Sequence, residues 1–468
     1  MITFVLVFCS LSQQTDYHGF VRHDFSFAGT NAIVVEPRTP AKDRPWIWRT
    51  EFFDHRPQLD LMMLEKGYHL VHLNVGNTFG APASMEQFGR FYNELISSKW
   101  NLNRRVVLEG FSRGGLYAYN WASRNPDKVQ AIYGDAPVCD FKTWPRQHSP
   151  ADWDALIQSY GFPDARRAIE YPFNPIDNLK ALVQAKVPII HVVGDADTVV
   201  PVAENTSVLE RRYKELGGTI EVIHKPGVDH HPHSLDDATP IARFIERHAS
   251  DSARARLGTC IPAPNPESRY VSAGWGGRSW LDQHQDTLAE AKRANYEVVL
   301  VGDSITQGFG GPGRSVYGGG SETYREYLSG CLNAGMSGDR VQHVAWRMEN
   351  GLREIKARLF LVLVGINNSN DDSPSTVVAG LREIKRKYPK CKILPLLPAG
   401  FLPTDHKRVW VNAVNSGIKG FSEAPVDGLL DAEGRLKSEL YSGDGLHLSA
   451  GGYKVLGKMI SDRYLRAK

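Results

Sequence analysis

Twice in this chain an uninterrupted apolar run ends at a glycine, one further residue and a serine: VVLEGFSRGG at residues 106–115 and VVLVGDSITQG at residues 298–308. A strand of consecutive Val and Leu has no polar face. It must be covered on both sides, which is the condition of a parallel sheet between helices. The same rhythm surrounds the first run in NAIVVE, HLVHLNV, QAIYGDAP, VPIIHVVGD and TIEVIHKPG, and the second in EVVLVG, LFLVLVG and KILPLLP. Between the two groups, residues 249–280 are rich in Pro, Gly, Ser and Ala and lack periodicity, the mark of a linker. At 468 residues the chain exceeds the usual size of one core. The expectation is an α/β protein of two domains, residues 17–250 and 281–468, joined by residues 251–280. Helices are expected near 282–294, 340–350, 374–388 and 450–465. From about 140 to 185 the first rhythm breaks into an insert carrying Trp144, Trp153, Tyr160, Phe162, Tyr171 and Phe173, read as a small cap whose rings pack on sugar faces.

Charge narrows the partners. The chain has 55 Lys+Arg against 52 Asp+Glu, a net charge of +3, with no clustered basic face of the kind nucleic acid requires. The five cysteines are scattered without a CxxC pair, so structural thiols are expected rather than a disulfide framework or a zinc site. The apolar run Ile2–Leu11 has the length of a signal-peptide core and is too short to span a bilayer. Residues 1–16 are therefore read as a signal peptide or its remnant, and the protein as secreted or periplasmic, with a buried first strand and a cytoplasmic location as the alternative. No integral membrane contact is expected.

Around the first serine, glycines stand two residues before and two after Ser112. A nucleophile at the tip of a sharp strand-to-helix turn needs both, because side chains there would strike the neighbouring strand and helix. That turn aims the Arg113 amide at a developing oxyanion. Asp197 follows a strand in VVGDADTVVP, and His230, His231 and His233 lie on the loop KPGVDHHPHS after the next one. Serine needs an imidazole base, and the base needs a carboxylate to hold its tautomer. In this order and setting the segment resembles the α/β-hydrolase family over residues 17–250. The resemblance implies Ser112 as nucleophile, Asp197 as acid and His230 as base, with His231 the alternative. Asp229 stands where that family usually has glycine. The histidine cluster could also hold a metal, but no matching Cys, His or carboxylate set is seen elsewhere, so no metal and no cofactor are expected. A second oxyanion donor is sought in PWIWRTEFF, at Arg49 or Thr50. Asp135 and Asp195 end strands and are read as loop caps.

Around the second serine the residues differ. Aspartate precedes Ser304 and Thr306 stands at plus two, so a glycine-flanked elbow is not written there. Downstream follow LNAGMSGD (332–339), VLVGINN (362–368) and DGLHLSAGGY (444–453). This set resembles the SGNH (GDSL-type) hydrolases, in particular the branch related to platelet-activating-factor acetylhydrolase, over residues 281–468. The resemblance implies a flavodoxin-like three-layer α/β/α fold and a Ser304, His447 and Asp444 triad. It also implies an oxyanion hole from the Ser304 and Gly338 amides and the Asn367 side chain. Asn368 stands where block three commonly has aspartate, and the glycine-rich insert 309–322 is read as a lip or a linker.

Two serine sites on two folds lead to the expectation of a bifunctional serine ester hydrolase. It would remove acetyl and other acyl groups from acylated carbohydrates through acyl-enzyme intermediates. The alternatives are a lipid or short-chain acyl esterase, or a single active SGNH esterase with a non-catalytic α/β-hydrolase-like binding module. A peptidase reading of the first half is also open.

Overall fold

The computed structural model describes residues 13–249, 258–265, 279–312, 319–370 and 372–465. The chain divides into two compact units, Met1–Ala255 and Arg256–Lys468. Residues 1–12, on which the signal-peptide expectation rests, and 313–318 of the glycine-rich insert lie outside the described residues.

The first unit is built on a nine-stranded sheet: β1 (Gln13–Tyr17), β2 (Phe20–Phe27), β3 (Thr30–Glu36), β4 (Trp46–Arg49), β5 (His69–Leu73), β6 (Val106–Phe111), β7 (Val129–Asp135), β8 (Ile189–Gly194) and β9 (Ile220–Lys225). Their order is β1-β2-β3-β5-β4-β6-β7-β8-β9. From β5 to β9 the pairing is parallel, and β6, β7 and β8 are buried along their whole length. The edge β1-β2-β3-β5 is antiparallel, which the apolar runs did not signal. Its strand β2 buries only Phe20 and His23. Its hairpins turn on His18–Gly19 and Ala28–Gly29, all four at positive φ, the two-residue geometry that matches strand twist.

Strand β4 corrects a second expectation. Trp46, Ile47 and Trp48, read as part of an oxyanion loop, form a fully buried central strand paired with β5 and β6. Trp48 stacks on Phe88 with centroids 4.5 Å apart and meets Trp121 edge-on at 5.4 Å. Each such indole removes roughly 150–250 Å² from water.

The cap, with helices Pro150–Tyr160 and Ala165–Ile169, also differs from expectation. Tyr160, Phe162 and Tyr171 are buried and pack on one another and on Phe141 at centroid distances of 5.2–6.3 Å, so these rings form the insert's own core and do not offer faces to a sugar.

The second unit has four parallel strands, β10 (Val298–Gly302), β11 (Cys331–Gly335), β12 (Leu359–Leu363) and β13 (Cys391–Ile393), in the order β11-β10-β12-β13. With helices Trp280–Glu290, Val341–Glu349, Pro374–Lys387, His406–Ile418 and Ala450–Ile460 it forms the expected flavodoxin-like α/β/α layer fold. Residues 258–265, assigned from sequence to the linker, pack into this unit. Ile261 and Ala263 are buried, Thr259 Oγ1 donates to Thr376 O at 2.5 Å, and a Cβ on Gly380 would stand 2.6 Å from Thr259 O. Cys139, Cys331 and Cys391 are buried free thiols, and Cys9 lies outside the described residues. Among the described residues no helix is long and apolar enough to cross a membrane.

Candidate active sites

In the first unit, β6 delivers Ser112 at a turn before the helix Gly114–Arg124, with Ser112 itself at φ 49°. An L-residue in the left-handed region is strained, and here the surroundings impose it. Ser112 N–H donates to Asp135 O at 2.8 Å, and its carbonyl accepts from Gly115 N and Val138 N. The glycines leave no room for side chains: a Cβ on Gly110 would stand 2.8 Å from Gly114 O, and one on Gly115 2.7 Å from Pro137 Cβ.

The acid and base come from loops after β8 and β9. A Cβ on Gly194, at the end of β8, would fall 2.4 Å from the carbonyl oxygens of both Val228 and Asp229, so the two loops cross with only a glycine between them. The crossing brings Asp197 Oδ2 within 2.7 Å of His230 Nδ1, while His230 Nε2 lies 3.0 Å from Ser112 Oγ. Asp197 is aimed by the amides of Val199 and Val200, which donate to its Oδ1 at 2.9 and 2.7 Å. Both side chains are buried, at 0% exposure for Asp197 and 6% for His230. His230 is the histidine that stands between Ser112 and Asp197; the His231 ring lies beside it, centroids 5.1 Å apart. Asp229 has a structural reason to be there. Its Oδ1 accepts Thr198 N–H at 2.8 Å and His230 N–H at 2.7 Å, tying the histidine loop to the acid loop. Those two backbone donors, Thr198 first, hold its carboxyl below the usual range.

Neither Arg49 nor Thr50 is arranged as a second oxyanion donor. The buried Arg49 guanidinium binds Asp60 Oδ2 at 2.6 Å, Glu109 Oε1 at 3.4 Å and the carbonyls of Phe52 and His55. The Thr50 N–H is spent on Glu109 O at 3.0 Å, and its hydroxyl bridges Glu109 O and Gly114 O. A strand end was mistaken for a free loop. The Arg113 amide stands at the N-terminus of the helix Gly114–Arg124, where N–H groups lack intrahelical acceptors. Sequence reasoning missed Glu51, whose Oε2 accepts from Arg113 Nε at 2.5 Å. Burial raises its carboxyl against the opposing pull of Arg113. Glu51 and Arg113 line a cavity of about 380 Å³ with Phe52, Phe53, His72 and Asn74. Asp195, at the end of β8, pairs with His224 at 2.6 Å, and Asp135 is buried beneath the histidine loop.

In the second unit Ser304 opens a short helix, Ser304–Gln307, after β10. Asp303 caps it, accepting Ile305 N–H at 3.1 Å. The close approach missing from the plus-two position is found elsewhere. A Cβ on Gly302 would stand 2.2 Å from Thr306 Oγ1, and one on Gly335 2.2 Å from Gln307 N. Asn333, inside LNAGMSGD, donates to the carbonyls of Thr306 and Gly310 at 3.0 and 2.7 Å and so holds the turn after Ser304.

Ser304 Oγ lies 2.9 Å from His447 Nε2, and His447 Nδ1 lies 2.5 Å from Asp444 Oδ2. The other Asp444 oxygen accepts from Ser442 Oγ and the amides of Leu446 and His447. Partial burial alone would raise this carboxyl, but the hydrogen bonds from Ser442 and His447 outweigh it and hold it well below the usual range. Gly338, at φ 79°, and Asn367, in the turn Ile366–Asn370, follow β11 and β12, the strands on either side of β10. Asn367 Nδ2 donates to Asp339 O at 3.0 Å, which uses one of its two N–H groups. Asn368 is buried; it accepts Val341 N–H at 3.1 Å, as an aspartate also could, and donates to Asp372 Oδ2 at 2.8 Å, which an aspartate could not.

Residues 300–455 match the GDSL-like Lipase/Acylhydrolase family, and residues 81–252 match the Prolyl oligopeptidase family. Platelet-activating factor acetylhydrolase IB subunit alpha1 of Rattus norvegicus is 31% identical over 221 residues, 43% of this chain and 90% of that protein. Among solved structures, a truncated carbohydrate esterase from gut microbiota is 16% identical with a TM-score of 0.38, over 48% of this chain and 91% of that one. A dipeptidyl peptidase 4 of Porphyromonas gingivalis is 13% identical with a TM-score of 0.38, over 51% of this chain and only 35% of that one.

The two folds and these family matches define a hydrolase of the serine esterase type. The chain belongs, through its second unit, to the GDSL-like lipase/acylhydrolase family in the branch of the platelet-activating factor acetylhydrolases, and its first unit has the α/β-hydrolase fold.

Proposed function

We propose that the chain is a bifunctional carbohydrate esterase, each unit cleaving an acyl ester of a sugar through its own serine. The observation that carries this reading is that both relays are closed by hydrogen bonds, Ser112–His230–Asp197 and Ser304–His447–Asp444. In each, the serine hydroxyl attacks the ester carbonyl while the histidine takes its proton, and the aspartate stabilises the imidazolium. The histidine then protonates the departing sugar oxygen, and a water deprotonated by the same histidine releases the acid and frees the serine. The oxyanion faces the Arg113 amide in the first unit, and the Ser304 and Gly338 amides with the Asn367 side chain in the second. The cavity lined by Asn74, His72 and the side chains of Glu51 and Arg113, the residue that follows Ser112, suits hydroxyl-bearing substrates better than lipid tails. An acetyl group is favoured because the second unit's relatives are acetylhydrolases.

A second reading applies to the first unit alone. Its match to the prolyl oligopeptidase family favours amide cleavage at Ser112. Ser112→Ala and Ser304→Ala, assayed on 4-nitrophenyl acetate, acetylated xylo-oligosaccharides, feruloylated sugars and a peptide 4-nitroanilide, separate these readings. Each variant is expected to lose about 10³-fold or more on a different part of the ester range. Full activity of either variant on every substrate removes the claim for that serine. Dependence on Ser112 for the anilide alone selects the peptidase reading.

A further inference from the structure

The loop that carries His230 also holds imidazoles that the Ser112 relay does not use. His231 and His233, together with His55 from the segment after β4, bring one ring nitrogen each within 4.8 Å of one another. His55 and His231 are exposed and His233 is buried, so two of the rings face solvent and the third is fixed from below. His233 Nδ1–H donates to Asp135 Oδ1 at 2.7 Å. Asp135 is itself buried and immobilised, its Oδ2 accepting the Tyr133 hydroxyl at 2.6 Å and the Ser234 amide at 2.8 Å. This commits Nδ1 of His233 and leaves Nε2 with a lone pair, the orientation that an outer carboxylate imposes on a metal-ligating histidine. The His55 segment is held against this loop independently, since Arg56 Nε donates to His233 O at 3.1 Å and Arg56 Nη2 pairs with Asp236 at 2.6 Å.

We propose that His55, His231 and His233 form a binding site for a first-row transition dication. Three imidazoles are the donors of zinc, cobalt, nickel and copper, whereas magnesium and calcium take oxygen ligands. Bond lengths of about 2.0–2.1 Å to zinc put tetrahedral ligand nitrogens roughly 3.3 Å apart. The exposed His55 and His231 rings reach that spacing by rotating about χ1 and χ2 while His233 stays on Asp135. A fourth position is left for water or a substrate oxygen. The ion ties the segment after β4 to the loop of His230, whose ring centroid lies 4.7 Å from that of His233. The sequence reading found no partner for the HHPH cluster because His55 is far from it along the chain and is brought there only by the fold. The site does not require Ser112 to be a nucleophile.

The test uses the full chain without a histidine tag, stripped with chelator and titrated with Co²⁺. Tetrahedral Co²⁺ is expected to show its intense visible bands up to one equivalent, and Zn²⁺ to displace it. Zinc retained after gel filtration is counted by mass spectrometry. His55→Ala and His231→Ala, both at exposed positions, are each expected to weaken binding by well over about tenfold with an unchanged thermal transition of the metal-free protein. No retained ion in the unsubstituted protein, or undiminished binding in either variant, overturns the proposal.

Discussion

Asp229 and Asn368 are the two positions where each unit departs from its family's usual residue, and both acquire partners in the structure. Asp229 ties His230 to the acid loop through Thr198, and Asn368 offers an N–H to Asp372 where an aspartate would add a second negative charge. The serines, histidines and aspartates of the two relays were legible because each sits in a short segment whose spacing can be read along the chain. Thr198 and Asp372 were not legible as partners, because a hydrogen bond between loops depends on which loops cross. For Asp229 the structure predicts a positioning effect. With Ser304→Ala as background, Asp229→Gly should lower kcat on the ester that depends on Ser112 by about tenfold, at little change in KM, because the His230 amide loses its anchor. Asp229→Asn keeps an acceptor oxygen and should retain most of the rate. Steady-state kinetics of the two variants check this, and an unchanged kcat in the glycine variant contradicts it.

At the scale of elements, the long apolar strands were readable because a strand buried on both faces must be apolar throughout. β4 was not, since four residues carry too little pattern and two tryptophans read equally well as a loop rim. The edge β1-β2 was hidden by its polar outward residues. In the insert, composition shows that aromatic rings are present and not which way they face: Tyr160, Phe162 and Tyr171 pack together, while Trp144 and Trp153 stay half-buried. The serine turns show the same limit. Glycines around Ser112 could be read as an elbow, whereas the close approaches that need Gly302 and Gly335 in the second unit involve Leu363 and Gln307. The elbow yields a prediction of its own. A Cβ at Gly115 would meet Pro137 Cβ at 2.7 Å and Val138 O at 2.8 Å, neither of which ends a flexible side chain. Gly115→Ala should destabilise the first unit by about 1–3 kcal/mol and reduce turnover that depends on Ser112. Turnover that depends on Ser304 should be unaffected. Calorimetric unfolding with both assays checks it.

For the whole molecule, nearly balanced charge leaves the pH dependence of folding to a few carboxyls rather than to net repulsion, and in the second unit these pull in opposite directions. Asp444 is held well below the ordinary value by its hydrogen bonds, so its contribution is present above the usual carboxylate pKa and is lost on acidification through its folded pKa. Asp303 is the opposite case. Burial, reinforced by the negative field of Asp339, pushes it up to about 7. The folded unit therefore keeps a proton there that the unfolded chain releases near pH 4. The stability associated with that proton is fully present below about pH 4 and is lost as pH rises through about 7, a change bounded at roughly 4 kcal/mol. Asp339 is raised in the same direction, by burial first, with Arg347 opposing, so it adds to the trend. Asp303→Asn removes the titration while keeping a side-chain oxygen for the Ile305 amide. The difference in Tm of the second unit between this variant and the parent should move in the variant's favour as pH is raised from 5 to 8, and scanning calorimetry at unit pH steps measures it. Comparing the two proteins at each pH cancels the contribution of Asp444, which both retain. A difference that stays flat across that range would mean that Asp303 is already ionised in the folded unit at pH 5.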